Sequence, residues 1–161
     1  MGTPLWCLGK TTKRRWQHPF CLLILSSMTQ AKTSSGPNTN HSKILLVDDE
    51  EFLLDLVREI LEEAGYEVTA QTSSLAALGR FSVDPLKFDL VIADGKMPEL
   101  SGMDLSERIL EIRPDIPIIL YTDYPDAASV KRALSTGVRA IVGKSISMSQ
   151  LITHVRHLLE C

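Results

Sequence analysis

From Lys43 onward the apolar residues fall into short uninterrupted runs that alternate with stretches of helical spacing. Ile44-Leu45-Leu46-Val47 is the first such run, and a strand apolar at every position is one covered on both faces, as in a parallel sheet. Phe52, Leu53, Leu56, Val57, Ile60, Leu61 and Ala64 then recur at helical intervals, with Gly65 as a stop. A second strand is predicted over Glu67–Ala70. Ser73 is placed to cap a helix through Leu75, Ala76, Leu78 and Phe81. Asp89–Ala93 forms the third strand, and Ser101 caps a helix carrying Met103, Leu105, Ile109 and Ile112 that must end by Arg113-Pro114. Ile116–Tyr121 reads as the fourth strand, Ala127–Leu134 as a helix ending near Gly137, Ala140–Val142 as the fifth strand and Met148–Leu159 as the last helix. Leu151, Ile152, Val155, Leu158 and Leu159 form its core stripe. Five strand–helix units in succession predict an α/β protein with a doubly wound five-stranded parallel sheet.

Charge divides the chain. Of its 17 Lys and Arg residues, five (Lys10, Lys13, Arg14, Arg15 and Lys32) lie in residues 1–42, which contain no acidic residue, leaving 12 basic against 20 acidic residues in 43–161. This step predicts a basic, disordered N-terminal extension and linker over 1–42 and a folded acidic body over 43–161. The Ser-, Thr-, Asn- and Gly-rich stretch Thr29–Ser42 fits a linker. Lys13-Arg14-Arg15 before the apolar Phe20–Leu25 imitates a signal peptide, but the run is short for that role and far too short to span a bilayer. An acidic body is a poor nucleic-acid surface. Cys7, Cys21 and Cys161 show no metal or disulfide spacing. A cytoplasmic protein binding neither nucleic acid nor membrane is expected.

Ligands of open parallel sheets bind beyond the carboxyl ends of the strands. Those positions hold Asp48, Asp49 and Glu50, then Asp94, then Thr122 and Asp123, then Lys144. Carboxylates crowded at one rim repel one another unless a cation lies among them, and Mg²⁺ (or Mn²⁺) is a hard ion suited to oxygen ligands and phosphate. One carboxylate could attack phosphorus, with Lys144 neutralising charge and Thr122 bonding a phosphoryl oxygen. Taken alone, Asp48-Asp49-Glu50 could equally be acidic residues favouring a helix N-terminus. His154, His157 and Cys161, at i, i+3 and i+7, suit a solvated helix face better than a metal site.

The ordered set Ile44-Leu45-Leu46-Val47-Asp48-Asp49-Glu50, Asp94-Gly95-Lys96-Met97-Pro98-Glu99-Leu100-Ser101-Gly102, Thr122 and Lys144 resembles the response-regulator receiver family of two-component signalling, in texture closest to receivers of hybrid sensor histidine kinases. The resemblance implies a flavodoxin-like (βα)5 fold and phosphoryl transfer to Asp94. It implies a metal held by Asp48, Asp49, Asp94 and the backbone carbonyl of Lys96, with Thr122 and Lys144 meeting the phosphoryl group. The donor would be a histidine kinase or histidine phosphotransfer protein, and a downstream protein would read the fourth helix, fifth strand and fifth helix. Such a protein is a phosphoacceptor with at most self-phosphorylation and self-dephosphorylation activity. The chain ends close to the last helix, which suggests a stand-alone receiver.

Three positions depart from the family pattern. Asp123 stands where a small residue is usual, Ile141 where an aromatic switch residue is expected, and Ser145 where a proline normally follows the lysine. Asp123 gives an alternative its basis: a receiver-like interaction module that is not phosphorylated. An aspartyl-phosphate phosphohydrolase is disfavoured, because its Asp-x-Asp pattern after the first strand is here Asp48-Asp49-Glu50.

Overall fold

The computed structural model describes residues 41–123, 125 and 127–160. The expectations for the N-terminal extension up to residue 40 and for Cys161 lie outside the described residues. Ten elements alternate: β1 (Lys43–Val47), α1 (Glu51–Glu63), β2 (Glu67–Gln71), α2 (Ser74–Val83), β3 (Leu90–Asp94), α3 (Gly102–Ile112), β4 (Ile118–Thr122), α4 (Ala127–Thr136), β5 (Ala140–Gly143) and α5 (Met148–Leu159). The five strands form one parallel sheet in the order β2-β1-β3-β4-β5. The direction of winding reverses between β1 and β3, which leaves a crevice beyond their carboxyl ends.

Two apolar layers cover the sheet, because successive strand residues point to opposite faces. Leu45, Val47, Val91, Ala93, Ile118 and Leu120 face a layer that includes α2 and α3 residues such as Phe81 and Leu105. Ile44, Leu46, Leu90, Ile92, Ile119, Tyr121 and Val142 face Leu54, Val57 and Leu61 of α1 and Leu151 and Val155 of α5. β1 and β3 are interior strands covered from both sides, hence their continuous apolar runs.

Helix limits follow local chemistry. Ser73 and Ser101 cap α2 and α3 as predicted, their hydroxyls accepting from the N–H groups of Ala76 and Asp104. Gly65 and Gly137 take positive φ just past α1 and α4, a backbone region where glycine meets little steric cost. Two expectations shift. β4 starts at Ile118 rather than Ile116, since Pro117 has no N–H for the ladder and contributes only its carbonyl, to Val91. In α1 the buried stripe is Leu54, Val57 and Leu61, whereas Phe52 is 79% exposed and Leu56 is also exposed.

Candidate functional site

The site continues the apolar columns of one sheet face. On β1, Ile44 and Leu46 point toward α1 and α5, and the next residue in that column is Asp48. On β3 the column Leu90, Ile92 ends in Asp94, and on β5 Val142 is followed two residues on by Lys144. Strand geometry alone therefore delivers two carboxylates and an ammonium to one place. Asp48 and Asp94 are buried, at 3% and 6% exposure. Lys144 Nζ lies 2.9 Å from Asp48 Oδ2 and 3.1 Å from Asp94 Oδ1. Exposed Asp49 completes the group: one carboxylate oxygen from each of Asp48, Asp49 and Asp94 lies within 4.8 Å of the others.

Glu50 does not join this cluster. It is the N-cap residue just before α1, and its N–H donates to Asp48 Oδ1 at 3.0 Å, which orients that carboxylate. The Lys96 N–H likewise donates to Asp94 Oδ2 at 3.2 Å. Burial pushes the Asp94 carboxyl above its ordinary range; the Lys144 hydrogen bond and charge oppose this, and the Asp48 charge adds to it. For Lys144, burial works against the ammonium, yet its hydrogen bonds to Asp48 and Asp94 outweigh that and raise its pKa. The ammonium is thus charged, and it offsets part of the repulsion between the two carboxylates.

Three acidic oxygens and one ammonium leave net negative charge in a largely buried cleft. That donor set, all hard oxygen and open on the Asp49 side, fits a small divalent cation such as Mg²⁺.

Thr122 faces the other way. It is the residue after Tyr121, so its side chain points to the α3 side, against Gly95: a Cβ built on Gly95 would lie 2.7 Å from Thr122 Oγ1. Beyond it a cleft of about 80 Å³ is lined by Lys96, Met103, Leu120, Ser129, Val130 and Ile141 among others. Ile141 occupies the position where the resemblance implied an aromatic residue.

Residues 95–101, which follow Asp94, are tied down at several points. The Gly102 N–H donates to the Gly95 carbonyl at 3.3 Å, and the Leu100 N–H donates to the buried Ser74 hydroxyl at 2.9 Å. Ser73 donates to Glu99. Gly102 permits α3 to start directly behind the phosphoacceptor candidate, since a Cβ there would sit 2.0 Å from the Asp94 carbonyl oxygen. Motif reading missed Ser74 and gave Gly102 and Tyr121 no role of their own; following the period-two column along β4 places Tyr121 on the face of the cleft.

Strand order and an acidic cleft at the reversal of winding define a flavodoxin-like α/β protein with a cation-ready anionic site. The sequence model described as "Response regulator receiver domain" matches residues 44–156. Response regulator SaeR of Staphylococcus epidermidis is 33% identical over 116 residues, which are 72% of this chain and 49% of that protein. The chain thus spans about half the length of this curated relative. A response regulator receiver domain protein from Clostridium thermocellum shares 32% identity at TM-score 0.71, covering 74% of this chain and 94% of its own. Response regulator protein TrrA from Thermotoga maritima, solved in complex with Mg(2+)-BeF, shares 34% identity at TM-score 0.67, with 73% and 99% covered. This chain belongs to the response regulator receiver family, the phosphorelay modules of two-component signalling. No helix among the described residues is long and apolar enough to cross a membrane.

Proposed function

We propose that Asp94 accepts a phosphoryl group from a histidine kinase or histidine phosphotransfer protein, and that Asp48, Asp49, Asp94 and the Lys96 carbonyl hold Mg²⁺ (or Mn²⁺) beside it. The observation that carries this reading is the meeting of Asp48, Asp49, Asp94 and Lys144 at one strand-end cleft. The cation, when bound, supplies positive charge for the phosphoryl oxygens.

The chain's own groups do the rest. A carboxylate oxygen of Asp94 attacks phosphorus; an O–P bond forms as the bond to the donor's nitrogen breaks, and the nitrogen keeps that electron pair. Lys144, already hydrogen-bonded to Asp94, neutralises negative charge as the acyl phosphate forms. Thr122 ends the strand next to β3 and, turned from its present place against Gly95, supplies a hydroxyl to a phosphoryl oxygen. An acidic surface repels a phosphate backbone, and a cytoplasmic protein partner is the reader this proposal assigns. The reading surface is α4, β5 and α5. In support, Ala133 is the only residue of α4 that is buried among those described, so this helix is shallowly seated.

Incubation with Mg²⁺ and a small phosphodonor such as acetyl phosphate, followed by mass spectrometry, tests the reading. One labile phosphoryl adduct is expected, lost in Asp94→Ala. Absence of any adduct with several donors overturns it.

A further inference from the structure

Lys144 has more than its two carboxylates to hold it. Tyr121 pairs with Val142 across the β4–β5 ladder, and Lys144 lies two residues beyond Val142, on the same face. That register sets the Tyr121 ring diagonally beside the Lys144 side chain, and the ammonium lies 6.0 Å from the ring centroid. The Lys144 main chain is referenced to the same strand, its N–H donating to the Thr122 carbonyl at 2.9 Å. Tyr121 itself is 2% exposed and packed in the α1–α5 layer, so its ring is a fixed platform. Its hydroxyl is buried with no hydrogen-bond partner among the described residues.

We propose that the Tyr121 ring is a positioning element for phosphoryl transfer, supporting the Lys144 ammonium between Asp48 and Asp94 from the sheet side. The inference rests on the reading of Asp94 as phosphoacceptor. Two carboxylates attract Lys144 but do not fix where its flexible four-carbon stem runs. A rigid π-face beside the stem does both, because it excludes other rotamers and favours the cation. A tyrosine serving only to fill the core would be replaceable by any apolar side chain of similar bulk. A positioning ring is replaceable only by another ring. The hydroxyl has no part in this role.

The test compares Tyr121→Phe with Tyr121→Leu and Tyr121→Met in the full chain. Four quantities are measured: the Lys144 ε-methylene proton shift by NMR, the Mg²⁺ affinity by titration, the rate of labelling by acetyl phosphate in saturating Mg²⁺, and the urea midpoint. The ring should move the ε-methylene resonance upfield in the wild type and in Tyr121→Phe, with labelling rates within twofold. Tyr121→Leu and Tyr121→Met should lose the shift and label about fivefold more slowly, at unchanged Mg²⁺ affinity. Tyr121→Met guards against a misfit of the branched leucine, and an unshifted ε-methylene in the wild type overturns the proposal whether or not either variant folds. Wild-type labelling rates in Leu and Met, or an equal loss in Phe, also overturn it. Failure of the wild type to label at all refutes the phosphoacceptor reading on which the proposal rests, whereas a labelled wild type with indifferent variants refutes only the role of the ring.

Discussion

Lys144 donates to Asp48 across 2.9 Å in a cleft where both side chains are nearly sealed from water. The pair ties β5 to β1 across two intervening strands, since the sheet order places β3 and β4 between them. Removing one partner from such a pair leaves an uncompensated buried charge, which typically costs about 3–5 kcal/mol. Lys144→Met should therefore unfold at lower urea concentration than the wild type in metal-free buffer. Millimolar Mg²⁺ should restore much of the difference by neutralising the same carboxylates. If Lys144→Met matches the wild type in metal-free buffer, the ammonium is not the neutralising group.

Binding of a cation only to the folded cleft stabilises it by mass action, by about 2.7 kcal/mol at a concentration one hundredfold above Kd. Thermal scans with and without Mg²⁺ should show a rise in Tm for the wild type. Asp49→Ala, which removes an exposed carboxylate, should abolish most of that rise while leaving the metal-free Tm nearly unchanged. An undiminished rise in Asp49→Ala would place the cation elsewhere.

The raised Asp94 pKa carries a definite sign. Burial disfavours the ionised carboxyl, so the folded chain holds its proton to higher pH than the unfolded chain does. Metal-free stability should consequently fall as pH climbs from the unfolded value near 3.8 through the raised folded value, then level off with respect to this group. Asp94→Asn, which cannot ionise, should flatten that part of the curve and at neutral pH gain stability on the order of 1 kcal/mol. Urea midpoints measured across the acid range check both statements; a steeper decline in Asp94→Asn than in the wild type contradicts them.

Gly102→Ala tests the close seating of α3. A methyl group 2.0 Å from the Asp94 carbonyl oxygen meets main chain and has no flexible side chain to displace. The loss should exceed about 3 kcal/mol and should also abolish Mg²⁺ binding, because the displaced backbone carries Asp94. Gly79→Ala is the control: nothing lies within 4 Å of its Cβ position, and alanine favours the helix. It should leave stability equal or slightly higher.

Asp123 follows Thr122, exposed at the end of β4. It adds negative charge near the approach of an anionic phosphodonor. Asp123→Gly should speed labelling by acetyl phosphate by a few-fold, with the gain shrinking in high salt as the charge is screened. A gain insensitive to salt would point to bulk rather than charge.

Much of this was legible in the chain itself. All ten elements were placed from apolar runs and helical spacing, because both faces of β1, β3 and β4 are covered and their runs stand out. The acidic residues at the strand ends announced the cleft, and Asp48, Asp49, Asp94 and Lys144 do meet there. Three things were hidden. Phe52 satisfies helical spacing but lies exposed on α1, since periodicity cannot say which edge of an apolar stripe faces the sheet. Thr122 lies at the right strand end but on the opposite face, a matter of parity that motif matching passes over. Ser74 gave no signal, because a hydroxyl that accepts from the main chain of a distant loop is recognisable only once that loop is folded against it.

Tyr121 and Thr122 are neighbours whose side chains enter different layers, one beneath the ammonium and the other over Gly95. Any twist of the last peptide of β4 must turn both at once. News of an event at the rim can therefore travel into both helical flanks from a single joint, without a relay of side chains through the middle of the sheet.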